Sequence, residues 1–451
     1  MLGLALPVFV EESLTALVGY TDWWLTGHFL GDKESLAAMT VMAYVMWLLP
    51  SLFAAIAIGA TALTSRFVGA GTVDKAAQTT NQALLVGGFV AVVVTIVFVL
   101  FVRPFVGLLQ LTGEAAELAI RYCLIVAPAI PAIMVAQVGV ACLRGAGDTL
   151  SGFVAKSIVN VINIVLSTAL VIGVGPLPKM GWTGLAIGTS CGHFIGGILV
   201  LVLLLRGRAG LKIRWSLLTP EVTIIRRLLR IGIPGGVDVL AILICHLIYF
   251  SLINRLGNAA TAAHGLSVQI EALAYLPCSA FQVAAATMTG QFLGAGKVVR
   301  AVRGIWLTCA AGFVFMLLVG SMFHFCGSGM ASFFVANRQM ATAHAAGELL
   351  RIVSWATPSL AIVMILSGAL RGAGDTRWPL AISIIGLAGL RIPLACWFAF
   401  NTVSIPVTSI TIAGWGGGIQ GAWWAMVVDV AARAILVTWR VLQGGWQRQV
   451  V

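Results

Sequence analysis

Charge is scarce in this sequence. Lys, Arg, Asp and Glu make up 9% of the 451 residues, while hydrophobic residues make up 60%; a typical soluble domain carries roughly 25% charged residues. A chain so short of charge cannot cover a water-facing surface, which excludes an ordinary soluble globular fold. Paired cysteines are missing too. The eight cysteines, Cys123 through Cys396, are scattered with no CxxC pair, so neither a zinc nor a disulfide framework has support and the thiols read as small packing residues. The N-terminal stretch lacks a basic n-region, its apolar opening running straight into Glu11 and Glu12, so no cleaved signal peptide is expected.

Long apolar runs are present instead. A helix needs about 20 mainly apolar residues to cross the hydrocarbon core. Stretches of that kind fall at roughly 5–31, 38–65, 81–103, 118–142, 152–173, 182–205, 229–254, 262–289, 302–325, 344–370, 378–400 and 419–439. In lipid every backbone N–H and C=O must be satisfied internally, and spanning strands are about half this length. The expected fold class is all-α integral membrane, with twelve transmembrane helices.

The formal charge of +12 would suggest a nucleic-acid partner if the cations were gathered on a soluble domain. They are not. Most of them, from Arg66 to Arg448, fall in loops after even-numbered spans or in the C-terminal tail, against Lys33, Arg103, Arg121, Lys179, Arg255, Arg338 and Arg351 on the opposite side. The positive-inside rule then places both termini in the cytoplasm and leaves no basic domain for nucleic acid.

The chain repeats itself. Leu143-Arg144-Gly145-Ala146-Gly147-Asp148-Thr149 recurs as Leu370-Arg371-Gly372-Ala373-Gly374-Asp375-Thr376, an offset of 227. Leu6-Pro7 matches Ile233-Pro234 at that same offset, and Phe67-Val68-Gly69-Ala70-Gly71 matches Phe292-Leu293-Gly294-Ala295-Gly296 at 225. An even number of spans per copy keeps both copies in one orientation, so a pseudo-two-fold along the membrane normal should relate two six-helix bundles. The expected organisation is a lobe over 1–206, a basic cytoplasmic linker over 207–228 and a second lobe over 229–451.

In Leu6-Pro7 with Asp22, the two Gly-Ala-Gly turns and both Leu-Arg-Gly-Ala-Gly-Asp-Thr loops, the chain resembles the multidrug and toxic compound extrusion (MATE) transporters over essentially its whole length. The resemblance implies a monomeric protein of the bacterial inner (plasma) membrane that is not an enzyme and needs no cofactor. It implies export of bulky, often cationic organic compounds in exchange for protons or sodium, by alternating access. An exporter of lipid-linked sugar or polysaccharide from the same superfamily is the alternative, and its anionic cargo should demand basic residues in the cavity; only Arg391 and Arg433 lie inside spans.

Intramembrane ionisable groups are costly and face a cavity or a partner. Asp22, deep in the first span, is the leading candidate for coupling, since a group whose charge cost depends on what is bound can link ion occupancy to lobe shape. Glu11 lies eleven residues earlier, a net rotation of about 20° and roughly 16 Å along the same helix face. Glu11, Glu12 and Asp238, the second-repeat equivalent of Glu11, are candidate relay positions, or interfacial carboxylates. The resemblance suggests that Asn163 and Thr189 complete the Asp22 site. Many relatives carry an aspartate four residues after the asparagine, where this chain has Ser167, and losing a hard oxygen ligand favours protons over sodium at Asp22.

The second copy differs. Tyr249 stands at the repeat-equivalent of Asp22, while Glu271 lies inside span eight with Gln282 on the same face. Glu271, Gln282 and Arg391 are read as substrate-binding or gating residues, with an Arg391–Glu271 bridge as the structural alternative and Asp429–Arg433 as a mutual pair. Trp182, Trp423, Trp424, Trp439 and Trp446 are expected in the interfacial belt, while Trp23, Trp24 and Trp47 are the better cavity candidates by depth, with a lipid-facing position the favoured alternative for each alone. Both repeat loops also read as GxGD, the active-site string of intramembrane aspartyl proteases. That chemistry needs two carboxylates sharing a proton; an aspartate near Arg144 or Arg371 suits a loop charge pair instead.

Overall fold

Each apolar run folds into a helix or a broken pair of helices. The computed structural model describes residues 2–30, 32–108, 111–174, 178–333, 340–404 and 411–449. The first six spans are α1 (Leu2–Leu25) with a π-turn over Thr26–Leu30, α2 and α3 (Lys33–Ser51, Ala54–Gly69), α4 (Val73–Leu108), α5 and α6 (Gly113–Val126, Ile130–Gly145), α7 (Thr149–Ile172) and α8 (Trp182–Leu205). The other six are α9 (Val222–Asn254), α10 (Asn258–Gly294), α11 (Val298–Phe333), α12 and α13 (Met340–Val353, Thr357–Gly372), α14 and α15 (Arg377–Ile384, Ile392–Ala399) around a π-segment over Ile385–Arg391, and α16 (Gly418–Leu442). Among the described residues, nine stretches are long and apolar enough to cross a membrane, and a tenth, α12 with α13, is bent by 56°. The remaining two, α10 and α16, are 37 and 25 residues long and hold the buried charges Glu271, Asp429 and Arg433.

The breaks have local causes. Pro50 lies in the last turn of α2, and a 3-10 turn over Ala127–Ala129, with Pro128 inside it and Pro131 following, separates α5 from α6; a proline ring removes a backbone donor and crowds the preceding turn. One small departure from an all-helical chain is a hairpin pairing Thr402–Ser404 (β1) antiparallel to Thr411–Ala413 (β2).

The repeated glycine strings are helix ends. Gly147 N donates to Arg144 O and Asp148 N to Leu143 O, and in the second copy Gly374 N donates to Arg371 O and Asp375 N to Leu370 O. This is the Schellman pattern, which requires a left-handed residue; Gly147 and Gly374 have φ of 93° and 87°. The Phe-x-Gly-Ala-Gly strings close the same way, Gly71 N on Val68 O and Gly296 N on Leu293 O.

Contacts divide the chain into two units, Leu2–Gly236 and Val237–Val450, with the boundary inside α9. The core of the first is built from residues such as Met42, Phe53, Leu63, Tyr122, Ile130 and Leu185. Within it α7 and α8 approach closely because Gly184, Gly188, Gly192 and Gly196 form a four-residue stripe. A Cβ at Gly188 would stand 2.1 Å from Ser167 Oγ and 2.6 Å from Ser167 N, and small residues of this kind let helices pack backbone to backbone in lipid. Three tryptophans expected at the interface are core residues instead. Trp182 donates to Leu118 O (2.8 Å), Trp446 to Val441 O (2.9 Å), and Trp423 is fully buried; span-end position in the sequence does not report which way an indole points. Trp23, Trp24 and Trp47 are exposed, as either a lipid-facing or a cavity-lining indole would be.

Candidate functional site

Asp22 is 3% exposed and has no cationic partner among the described residues. Thr189 on α8 organises its surroundings. The Thr189 hydroxyl accepts from Tyr122 Oη (3.1 Å) and from Asn163 Nδ2 (2.9 Å), and donates to Asp22 Oδ2 (3.3 Å). A hydroxyl has one donor and two acceptor sites, so Thr189 is fully used and its one proton is aimed at the carboxylate. Two acceptors in the cluster, Asp22 Oδ1 and Asn163 Oδ1, remain without a donor. Asp22, Asn163 and Thr189 are thus brought together. Tyr122, which sequence reasoning passed over, joins them from α5. Ser167 does not: its hydroxyl donates to Leu185 O at 3.5 Å on the α8 backbone. One helical turn after Asp22 the chain enters the Thr26–Leu30 π-turn, and Thr26 Oγ1 donates to Asp22 O (2.7 Å); π-turns often mark functional positions.

Glu11 shares with Asp22 the buried face of α1 but belongs to a different structure. Its Oε2 lies 2.6 Å from an Arg144 terminal nitrogen, and Glu12 lies 3.6 Å from the same atom. In the second unit Arg371, the repeat-equivalent of Arg144, pairs with the fully buried Asp238. The loop aspartates point elsewhere. Asp148 caps α7 through Ser151 N (3.0 Å) and pairs with Arg208 (2.5 Å), while Asp375 receives two bonds from Arg440 (3.0 and 2.7 Å). The expected pairing of each loop aspartate with the arginine four residues before it is therefore corrected. In both copies that arginine is taken instead by a carboxylate on α1 or α9, Glu11 for Arg144 and Asp238 for Arg371. Both GxGD aspartates are engaged by guanidinium groups.

In the second unit Arg391 and Arg433 converge on Asp429. Arg391 Nε and its terminal nitrogen reach Asp429 Oδ2 at 2.9 and 2.8 Å, and Arg433 holds both Asp429 oxygens at 2.8 Å. Gly386, in the π-segment, makes room: a Cβ there would stand 2.4 Å from Asp429 Oδ1 and from Arg433 Cδ. The expected Asp429–Arg433 pair is present. The Arg391–Glu271 bridge is not, because the guanidinium is taken by Asp429. Glu271, 7% exposed, has no hydrogen-bond or ion-pair partner among the described residues. Arg391 stands over the Tyr249 ring (5.8 Å), and His264 is ringed by Tyr249, Phe250 and Trp423 at 5.9, 5.9 and 5.7 Å. Gln282 packs against Gly368. The described residues contain no cluster of His, Cys, Asp and Glu able to hold a metal ion.

A family model, MatE, matches residues 7–169 and 234–397, once on each copy of the repeat. The chain belongs to the MATE family of membrane transporters. It is 26% identical to a probable multidrug resistance protein NorM of Thermotoga maritima, covering 100% of this chain and 93% of that protein. It is 24% identical to a FAD transporter of Shewanella oneidensis, covering 89% and 91%. An outward-facing multidrug resistance MATE transporter superposes with a TM-score of 0.89 at 20% identity, covering 100% of this chain and 96% of that one, as does a MOP superfamily transporter from Pyrococcus furiosus. These folds have twelve helices in two bundles, so the chain is an all-α, multi-pass membrane transporter of this family.

Proposed function

We propose that this chain is a secondary antiporter of the bacterial inner membrane, its termini cytoplasmic, which exports bulky, often cationic organic compounds in exchange for protons by alternating access. The observation that carries this reading is the Asp22 cluster. A buried carboxylate with no cation beside it is costly in hydrocarbon, and here two acceptor oxygens lack a donor. A proton bound at Asp22 supplies one. Sodium is less well served, because the Thr189 oxygen already accepts two hydrogen bonds and Ser167 faces α8, leaving few hard oxygens free for a cation. Glu271, a buried carboxylate without a hydrogen-bond or ion-pair partner among the described residues, is the natural counterion for a cationic substrate. An anionic lipid-linked sugar fits less well, since the arginines it would need are held by Asp429. In this reading Glu11, Glu12 and Asp238 act as ion-paired fasteners rather than as a relay.

The test is efflux of a fluorescent cation from proteoliposomes under an imposed proton or sodium gradient. Asp22→Asn should lose gradient-driven efflux, and Glu271→Gln should weaken substrate binding with coupling retained. Gradient-driven efflux unchanged in Asp22→Asn would sink the coupling role.

A further inference from the structure

Residues 206–230 run from the end of α8 into α9 and carry seven cations, Arg206, Arg208, Lys212, Arg214, Arg226, Arg227 and Arg230, against one carboxylate, Glu221. All seven are exposed. Among the described residues, acidic partners occur only for Arg208, with Asp148, and for Arg214, which reaches Asp74 at 4.0 Å.

This strap is not a loose tether. Asn81 and Gln82, both fully buried on α4, hold its backbone. Asn81 Nδ2 donates to Lys212 O (3.0 Å) and Asn81 Oδ1 accepts from Arg214 N (3.1 Å). Gln82 Nε2 donates to the carbonyls of Leu217 and Thr219 (both 2.8 Å), and its Oε1 accepts from Glu221 N (2.9 Å). Leu211 is fully buried, and the one acidic side chain is engaged by Gln78. What the strap turns outward is its cations and Trp215, which is 90% exposed.

Depth follows from length. The 33 residues of α9 extend about 50 Å at 1.5 Å per residue, whereas the hydrocarbon core is about 30 Å thick. Arg226, Arg227 and Arg230 in its first turns therefore stand at headgroup level, as does Arg206 directly after α8, and indole rings favour the same layer. We propose that the strap is a docking surface for anionic phospholipid headgroups in the leaflet it faces. The charge is complementary and no internal carboxylates compete for most of it. Because the backbone is already fixed by Asn81 and Gln82, binding needs little further ordering.

The probe is phosphatidylglycerol. The full-length protein is placed in nanodiscs of phosphatidylcholine with and without phosphatidylglycerol, and lipid retained after mild detergent exchange is counted by native mass spectrometry. Retention of phosphatidylglycerol should fall about fivefold per charge removed in the combined R226Q/R227Q/R230Q variant. K297Q/R300Q/R303Q, which removes as many exposed cations elsewhere, should change it little. Quenching by brominated phosphatidylglycerol should drop in Trp215→Phe, and the N81A/Q82A variant should weaken retention with every cation still in place. Equal losses in the two triple variants would mean diffuse attraction and overturn the proposal. Equal quenching by brominated phosphatidylcholine, or displacement of the lipid by soluble polyglutamate at matched charge, would overturn it as well.

Discussion

The two units share their helix order, their Schellman turns and their arginine fasteners, yet differ in what they bury at the same depth. In the first, Asp22 is held by a threonine hydroxyl and an acceptor is left over. In the second, the equivalent position is Tyr249, with the Arg391 guanidinium against its ring. Arg391 falls one residue past the repeat-equivalent of Asn163, a displacement that the π-segment Ile385–Arg391 can absorb. A carboxylate and an amide in one copy thus become a phenol and a guanidinium in the other. Features present in both copies, such as Glu11–Arg144 and Asp238–Arg371, answer the needs of the shared architecture. Among those present in one copy, Asp22 and Glu271 are the candidates for transport roles, whereas Asp429 with its two arginines is a structural pairing.

The largest effects should separate the two buried aspartates. Asp22→Asn is expected to fold with a near-unchanged melting temperature but to lose gradient-driven efflux by about tenfold or more, the scale of removing an essential proton site. Asp429→Asn should do the reverse in character, because it strands Arg391 and Arg433 in the interior. The cost of breaking a buried pair is about 3–5 kcal/mol, read as a fall in melting temperature and yield. If Asp429→Asn melts like the wild type, the contrast between a coupling carboxylate and a structural one collapses.

Next come the groups around Asp22. Thr189→Val removes the hydroxyl that joins Tyr122, Asn163 and Asp22, and should cost about 1–3 kcal/mol of stability for buried groups left unpaired, together with most of the coupling. Tyr122→Phe removes one donor only, so a smaller fall in efflux is expected with stability within about 1.5 kcal/mol. Equal efflux defects in the two variants would show that Tyr122 does more than brace Thr189. The fasteners invite a paired test: Glu11→Gln and Asp238→Asn should lower the melting temperature by similar amounts, and a relay role for Glu11 would appear as an efflux defect in the first variant alone.

Much of this architecture was legible in the residues, and the reason is local chemistry. Apolar length reports a span, and glycine at a left-handed position reports a helix end, so the twelve runs and the Gly-Ala-Gly turns needed no tertiary information. Asp22 stood out because ionisable groups are rare inside spans, while Asn163 and Thr189 were reached only through the family resemblance. Tyr122 did not stand out, since a tyrosine in an apolar run looks like any packing aromatic until its hydroxyl is seen against Thr189. Ion pairing was legible only at short range. The i,i+4 pair Asp429–Arg433 could be read along one helix, whereas Arg391–Asp429 and Arg208–Asp148 join residues 38 and 60 apart and depend on how the helices pack. The same limit explains Trp423 and Trp446, whose burial is set by neighbours in space.

The smallest expected effect concerns Asp148 and compares its loop with the second copy's. Burial raises the pKa of the Asp148 carboxyl, but hydrogen bonds from Arg208 and Ser151 more than reverse this and hold it below the usual carboxylate range. A carboxyl whose folded pKa is depressed adds stability above its unfolded value, about 3.9, and that contribution is lost as pH falls through the folded value. Arg208 is half-exposed, so solvent screens the pair and the gain is small. Asp148→Asn keeps the helix cap, because asparagine caps as well as aspartate, while removing the charge. In detergent, its melting temperature should sit slightly below wild type at neutral pH and converge with it below about pH 4. Arg208→Gln should follow the same course if the guanidinium is the main cause. A constant offset at all pH values would instead assign the effect to the cap, leaving Asp375 with Arg440 as the copy in which the loop aspartate works through its ion pair.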